Sequence, residues 1–92
     1  MKLRIAILGS TGSIGKSTIK IIRNQRIKFD LKFITTNKNI ALILKQANEF
    51  KVKNIVIYNK KKFYYASNDK KFKHLNIYNN LSVLSKKFNK KI

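Results

Sequence analysis

Gly9, Gly12 and Gly15 stand at a strict three-residue spacing and are all the glycine the chain contains. They belong to the string Gly9-Ser10-Thr11-Gly12-Ser13-Ile14-Gly15. It follows the apolar run Leu3-Arg4-Ile5-Ala6-Ile7-Leu8 and opens a helix-periodic segment at Ile14. Strand, glycine turn and helix, in that order, are the setting in which a loop cradles phosphate. Glycine serves where φ is positive or where a ligand must come close to the main chain. On this reading Gly9 makes the tight exit from the strand. Gly12 lets a pyrophosphate approach, and Gly15 lets the helix pack closely on the strand. The N–H groups of the first helical turn, with the helix dipole behind them, then face the phosphates. A glycine-rich turn that holds no ligand is the plainer alternative.

A mononucleotide loop is a second alternative. Gly15-Lys16-Ser17 matches the tail of G-x-x-x-x-G-K-[ST], but the position of its first glycine is held by Ser10, with Gly9 one residue too early. Such a loop also wants an acidic Mg²⁺ partner at the end of a later strand. The clearest later strand, Asn54-Ile55-Val56-Ile57-Tyr58-Asn59, ends without one.

The elements that would position the loop can be read from periodicity. Leu3 to Leu8 reads as a fully buried strand, with Arg4 at its entrance. A helix runs from Ile14 to about Asn24 with Ile14, Thr18, Ile21 and Ile22 on one face and Ser13 as its N-cap. Gln25 to Asp30 is a polar connection. Leu31 to Thr36 is a second strand. A helix from Ile40 to about Phe50 carries the stripe Ile40, Ile43, Leu44, Ala47 and Phe50, capped by Asn39. Asn54 to Tyr58 is a third strand, Lys60 to Ser67 a short helix, Asn68 to Lys73 a loop and Leu75 to Tyr78 a fourth strand. Leu81, Leu84 and Phe88 mark a last helix. This β-α alternation predicts an α/β, Rossmann-like parallel sheet with helices on both faces, in the order 3-2-1-4.

The end of the second strand bears on which dinucleotide would fit. NAD-binding domains place an Asp or Glu there to accept from the ribose 2′-OH, about 20 residues beyond the loop. This chain has Thr35-Thr36-Asn37-Lys38-Asn39, with no acid and one cation. A carboxylate would repel a 2′-phosphate, whereas Lys38 would attract it, so the residues favour NADPH over NADH.

Composition narrows the remaining classes. Ninety-two residues, 43% of them hydrophobic, suit one small domain with a modest core. Without Cys there is neither a disulfide framework nor a thiolate metal site. No apolar run approaches the ~18 residues of a membrane span. A strand beginning at Leu3 leaves no room for a leader, so the expected compartment is the cytoplasm. The formal net charge is +19, yet of the 22 basic residues only Arg4, Arg23 and Arg26 are arginine. Phosphate and base readout recruits arginine for its bidentate fork. The lysines run along the whole chain beside many Asn and Ile, residues that share A/T-rich codons. Compositional drift therefore explains the charge without a function. The runs Lys60-Lys61-Lys62 and Lys70-Lys71 read as solvated surface. His74 has no Cys or carboxylate at ligand spacing and reads as a surface or helix-end residue. A nonenzymatic basic module that binds nucleic acid stays open. Its mark would be lysines clustering on one face of the fold.

The string Gly9 to Gly15, with Ser17-Thr18 just after it, resembles the start of the 1-deoxy-D-xylulose 5-phosphate reductoisomerase family. The resemblance continues through Arg23-Asn24, Phe29, Lys38-Asn39 and Glu49-Phe50. It implies an NADPH-dependent oxidoreductase and isomerase of isoprenoid-precursor synthesis. Such an enzyme converts 1-deoxy-D-xylulose 5-phosphate to 2-C-methyl-D-erythritol 4-phosphate with the help of Mg²⁺ or Mn²⁺. NADPH contacts then fall on Thr11, Gly12, Ser13, Ile14, Lys38 and Asn39, beside the loop glycines Gly9 and Gly15. The family usually has Gly where this chain has Asn37, a residue that tolerates positive φ. The family's metal carboxylates, substrate-phosphate residues and active-site loop lie further along a much longer chain. The resemblance therefore implies a truncated NADPH-binding domain over 1–92, inactive alone. A complementary fragment or a second copy would be its partner, with no membrane and no specific nucleic acid.

Overall fold

The computed structural model describes residues 2–82. Its order is β1 (Leu3–Ile7), α1 (Ser13–Arg23), β2 (Phe29–Thr36), α2 (Ile40–Phe50), β3 (Asn54–Ile57), α3 (Lys60–Ser67), a 3-10 turn (Lys70–Phe72) and β4 (Asn76–Tyr78). The expected helix over Leu81, Leu84 and Phe88 lies, from residue 83 on, outside the described residues.

All strand pairs are parallel, and the spatial order is β1-β2-β3-β4. The expected order 3-2-1-4 is therefore corrected in one respect. The step 1-2-3 is kept, but β4 joins β3 instead of crossing back to β1. The backbone N–H of Asn76 donates to the Lys53 carbonyl at 2.8 Å and seats β4 at the outer side of β3. Each connection then steps the same way. Right-handed crossovers that all step the same way bring α1, α2 and α3 to one face, where their buried residues share a single core, so the expected helices on both faces are corrected for these three.

The same order overturns the expectation of a fully buried first strand. Among the described residues β1 is an edge, and Leu3 is 65% exposed. Only Ile7 of β1 is buried, with Ile5 packed against the core. The core joins Ile7, Leu31, Ile34, Ile55 and Ile57 of the sheet to Ile19, Ile22, Ile43, Ala47 and Ala66 of the helices. Leu31 and Ile34 both reach it although they are three residues apart. The register with β1 slips between Ile5 and Ala6, which pair with Leu31 and Phe33, so Lys32 is the extra residue of a bulge.

Helix α1 also departs from expectation. Its buried face is Gly15, Ile19 and Ile22, and Ile14 is 84% exposed. Gly15 has no side chain, so the helix settles on the Gly9–Ser10 backbone and the inward face rotates onto that residue. Ser13 is the first helical residue rather than the cap; Gly12 holds the cap position without a side-chain bond. Helix α2 follows expectation, with Ile43 and Ala47 buried, Ile40, Leu44 and Phe50 packed beside them, and the Asn39 side chain accepting from the Leu42 N–H at 3.1 Å. The expected loop after α3 contains the 3-10 turn, which buries Phe72 and is capped by Asp69 accepting from the Lys71 N–H at 2.9 Å.

Helix α2 ends on Lys51, which is left-handed at φ 56°. A side chain in that region strains the backbone, and glycine does not. Lys51→Gly should therefore stabilise the fold by about 0.5–1 kcal/mol, after the added freedom of the unfolded chain is subtracted. Urea denaturation of the two proteins reads this directly, and an unchanged or lower midpoint would refute it.

The far ends of α1 and α2 are tied by charge. Arg23 grips Glu49 with two N–H groups, at 2.5 Å and 2.8 Å, and Arg26 adds a third bond at 2.6 Å. The Arg23 hydrogen bond is the main reason the Glu49 carboxyl is held below its ordinary range. Arg26 also lies over the Phe50 ring at 4.7 Å.

Candidate functional site: a glycine ledge at the strand ends

β1 and β2 run in parallel, so the loops after them leave from the same end of the sheet, where ligands of open α/β sheets bind. The loop after β1 is held by the end of β2. The Gly9 N–H donates to Thr35 Oγ1 at 2.7 Å, and the Ser10 N–H to the Thr35 carbonyl at 2.9 Å. Thr11 Oγ1 and Thr36 Oγ1 share a hydrogen bond of 2.7 Å. Helix α2 supplies a further anchor. Ser10 Oγ donates to Gln46 Oε1 at 2.7 Å, and Gln46 Nε2 returns a bond to the Ser10 carbonyl at 3.0 Å. Ser10, Thr35, Thr36 and Gln46 are all buried. Their polar atoms satisfy one another, which fixes the loop's shape before any ligand arrives.

The glycines occupy different environments. Gly9 turns at φ +70°, where other residues are strained. A Cβ on Gly15 would overlap the Gly9 carbonyl oxygen and lie 2.6 Å from Ser10 Cα. The close packing expected of Gly15 is thus made against the loop itself. A Cβ on Gly12 would meet only the Gly9 carbonyl oxygen, at 3.5 Å, an ordinary contact. The fold does not need glycine there, and the residue is exposed. Ser13 and Ile14 are exposed beside it. The N–H groups of Ser13, Ile14 and Gly15 have no acceptor among the described residues, while the Lys16 N–H already bonds the Gly12 carbonyl at 2.8 Å. Donors of this kind at a helix start suit an anion.

The second wall is Asn37, Lys38 and Asn39, all exposed, directly after β2. The Asn37 carbonyl accepts from the Asn59 N–H at 3.0 Å, and the Lys38 carbonyl from the Ile40 N–H at 2.8 Å. Gly9 and Lys51 are the positive-φ residues of the described chain, so Asn37 does not require the left-handed region. The turn forms with asparagine as readily as with glycine. Lys38 makes no ion pair among the described residues, which leaves its ammonium available to an incoming anion.

Sequence reasoning missed Ser10, Thr35, Thr36 and Gln46. The available signal was a glutamine on the inward side of α2, next to Ala47. The mononucleotide alternative loses ground. Ser17 Oγ, which such a loop would turn toward Mg²⁺, donates to the Ser13 carbonyl at 3.2 Å. Among the described residues no three His, Cys, Asp or Glu side chains come together as metal ligands. His74 is exposed, with Nε2 at 2.7 Å from Asn48 Oδ1. No helix among the described residues is long and apolar enough to cross a membrane.

A family model for 1-deoxy-D-xylulose 5-phosphate reductoisomerase matches residues 5–87. The protein of that name from Pelagibacter ubique is 38% identical over 86 residues, which are 94% of this chain and 22% of the relative. That from Acetivibrio thermocellus is 52% identical over 54 residues, 59% of this chain and 14% of its own. Among solved structures, the Zymomonas mobilis reductoisomerase in complex with NADPH superposes with a TM-score of 0.73 at 21% identity, a likeness of fold. It covers 85% of this chain and 21% of that one. A DOX-P reductoisomerase in complex with magnesium gives 0.74 at 29% identity, over 85% and 20% of the two chains. The chain thus spans about a fifth of the length of its first relative.

Proposed function

Because the chain belongs to the 1-deoxy-D-xylulose 5-phosphate reductoisomerase family, we propose that residues 1–92 form a single NADPH-binding, Rossmann-like domain of such an enzyme. The observation that carries this reading is Gly12. It is a glycine the fold does not need, placed between a pinned loop and a run of unpaired N–H donors. Several features of the chain support this reading. Ser13, Ile14 and Gly15 offer N–H groups to the pyrophosphate, and Thr11, held by Thr36, shapes the approach. Lys38 and Asn39 would receive the 2′-phosphate, with no acid beside them in the sequence. Bound NADPH supplies the hydride that reduces the rearranged sugar phosphate. The role of this chain is to hold and orient it.

The divalent metal of the family does not fit the residues of this chain. Metal and sugar-phosphate binding are therefore assigned to further polypeptide, in the same protein or in a complementary one.

Calorimetric titration of NADPH and NADH at fixed salt tests the cofactor assignment. NADPH should bind more tightly, and Lys38→Glu should weaken NADPH by about 1–3 kcal/mol while leaving NADH nearly unchanged. Equal affinities for the two dinucleotides, or a preference for NADH, would sink the assignment.

A further inference from the structure

The two lysine runs that read separately as solvated surface come together in the fold. Helix α3 buries Ala66 and packs Phe63 inward. Lys61, Tyr64, Tyr65 and Asn68, at i, i+3, i+4 and i+7, form another face of it. The segment after α3 doubles back along that face and brings Asp69, Lys70 and Lys71 against it. Between them lies an open hollow of about 700 Å³ lined by these residues. Tyr64 and Tyr65 are 65% and 64% exposed. Tyr64 is braced edge-to-face by Phe63, with ring centroids 5.7 Å apart. The one acid of the groove, Asp69, is engaged by the Lys71 N–H at 2.9 Å.

Two neighbouring aromatic rings rimmed by three lysines match what single-stranded nucleic acid needs: π-faces on which successive bases stack, and cations that track the phosphates. An acidic protein would use the lysines but has no use for a pair of exposed rings, one of them braced. We propose that this groove, remote in sequence from the cofactor ledge, binds single-stranded nucleic acid without sequence preference. Tyr64 and Tyr65 stack bases there, and Lys61, Lys70 and Lys71 hold phosphates.

The test is fluorescence anisotropy of a labelled oligothymidylate titrated with the full chain across a range of salt. Tyr64→Ala/Tyr65→Ala should lose affinity about tenfold or more with the salt slope unchanged, because stacking releases no counterions. Lys61→Gln/Lys70→Gln/Lys71→Gln should lower the slope by about 2, near 0.7 for each phosphate no longer neutralised. A control of equal charge on other surfaces, Lys20→Gln/Lys28→Gln/Lys53→Gln, should change the slope much less. Circular dichroism checks that each variant is folded, and Tyr64→Phe/Tyr65→Phe, which keeps both rings, should bind like the parent. Parental binding by the tyrosine variant would overturn the proposal. So would equal slopes for the two lysine variants, or displacement of the oligonucleotide by polyglutamate as efficient as by unlabelled oligonucleotide. Each of these outcomes would mean that net charge alone does the binding.

Discussion

Gly12→Val should leave the domain folded and abolish its binding of NADPH, whereas Gly15→Ala should fail at the level of the fold. The contrast rests on where each missing Cβ would go. At Gly12 it would find only the Gly9 carbonyl oxygen, at 3.5 Å, and the backbone there is extended at φ −80°, ψ 176°, which any residue adopts. Valine is a poor helix cap, so a loss of about 1 kcal/mol is expected. The isopropyl group would nevertheless stand where the pyrophosphate must approach the main chain. At Gly15 the Cβ would lie 2.6 Å from Ser10 Cα and 2.7 Å from the Ser10 carbonyl carbon, both backbone atoms that cannot swing aside. Making room means lifting α1 off the loop, and that draws the buried Ile19 and Ile22 out of the core. A loss of about 3 kcal/mol or more is expected, a large part of the 5–15 kcal/mol that holds a small domain together. Urea denaturation and NADPH calorimetry on both variants separate the two effects. Normal cofactor binding by Gly12→Val would reduce the loop to a structural turn and remove the ground for the NADPH assignment.

The difference between these glycines also marks how far the sequence could be read. Their spacing after an apolar run was enough to place a strand-turn-helix and to assign Gly9 its left-handed turn. That Gly15 packs against the loop depends on how α1 lies, and the apolar pattern misdirected that choice. Ile14, Thr18, Ile21 and Ile22 form a cleaner stripe than Gly15, Ile19 and Ile22, because a glycine carries no hydrophobic signal. The Ser10–Gln46 pair joins residues 36 apart in sequence, and polar pairs at such distance leave no periodicity to read. Strand order was misread for a related reason. Alternation fixes that the strands are parallel, but not the edge to which a fourth strand is added. The short segment from Lys60 to Leu75 decides it by turning back at the buried Phe72 and placing Asn76 beside Asn54. The first strand was then expected to be enclosed on both sides, when its outer side has no neighbour among the described residues.

Residues 1–92 alone should show no turnover with 1-deoxy-D-xylulose 5-phosphate, NADPH and Mn²⁺, even where they bind the cofactor. A catalytic divalent ion needs several oxygen ligands gathered at one point. This chain has three acids, and each is engaged elsewhere. Asp30 pairs with Lys32 at 2.9 Å, Glu49 is gripped by Arg23 and Arg26, and Asp69 caps the 3-10 turn. The outer side of β1 suggests where the missing chemistry would be added. In a doubly wound sheet the strand order reverses beside the first strand, and the dinucleotide lies in the crevice at that point. A further strand docking on β1 would cover its free N–H and C=O groups together with Leu3, and would bring new residues to the edge of the glycine ledge. The assay is therefore run on the purified chain, alone and with the remainder of a reductoisomerase expressed separately. Turnover by the chain alone would refute the expectation. Activity in the mixture only would support a split enzyme, and silence in both would favour a decayed one. If the mixture is active, Leu3→Lys should abolish that activity through the β1 edge while leaving NADPH binding by the isolated chain intact. Full activity of the Leu3→Lys mixture would place the docking surface elsewhere.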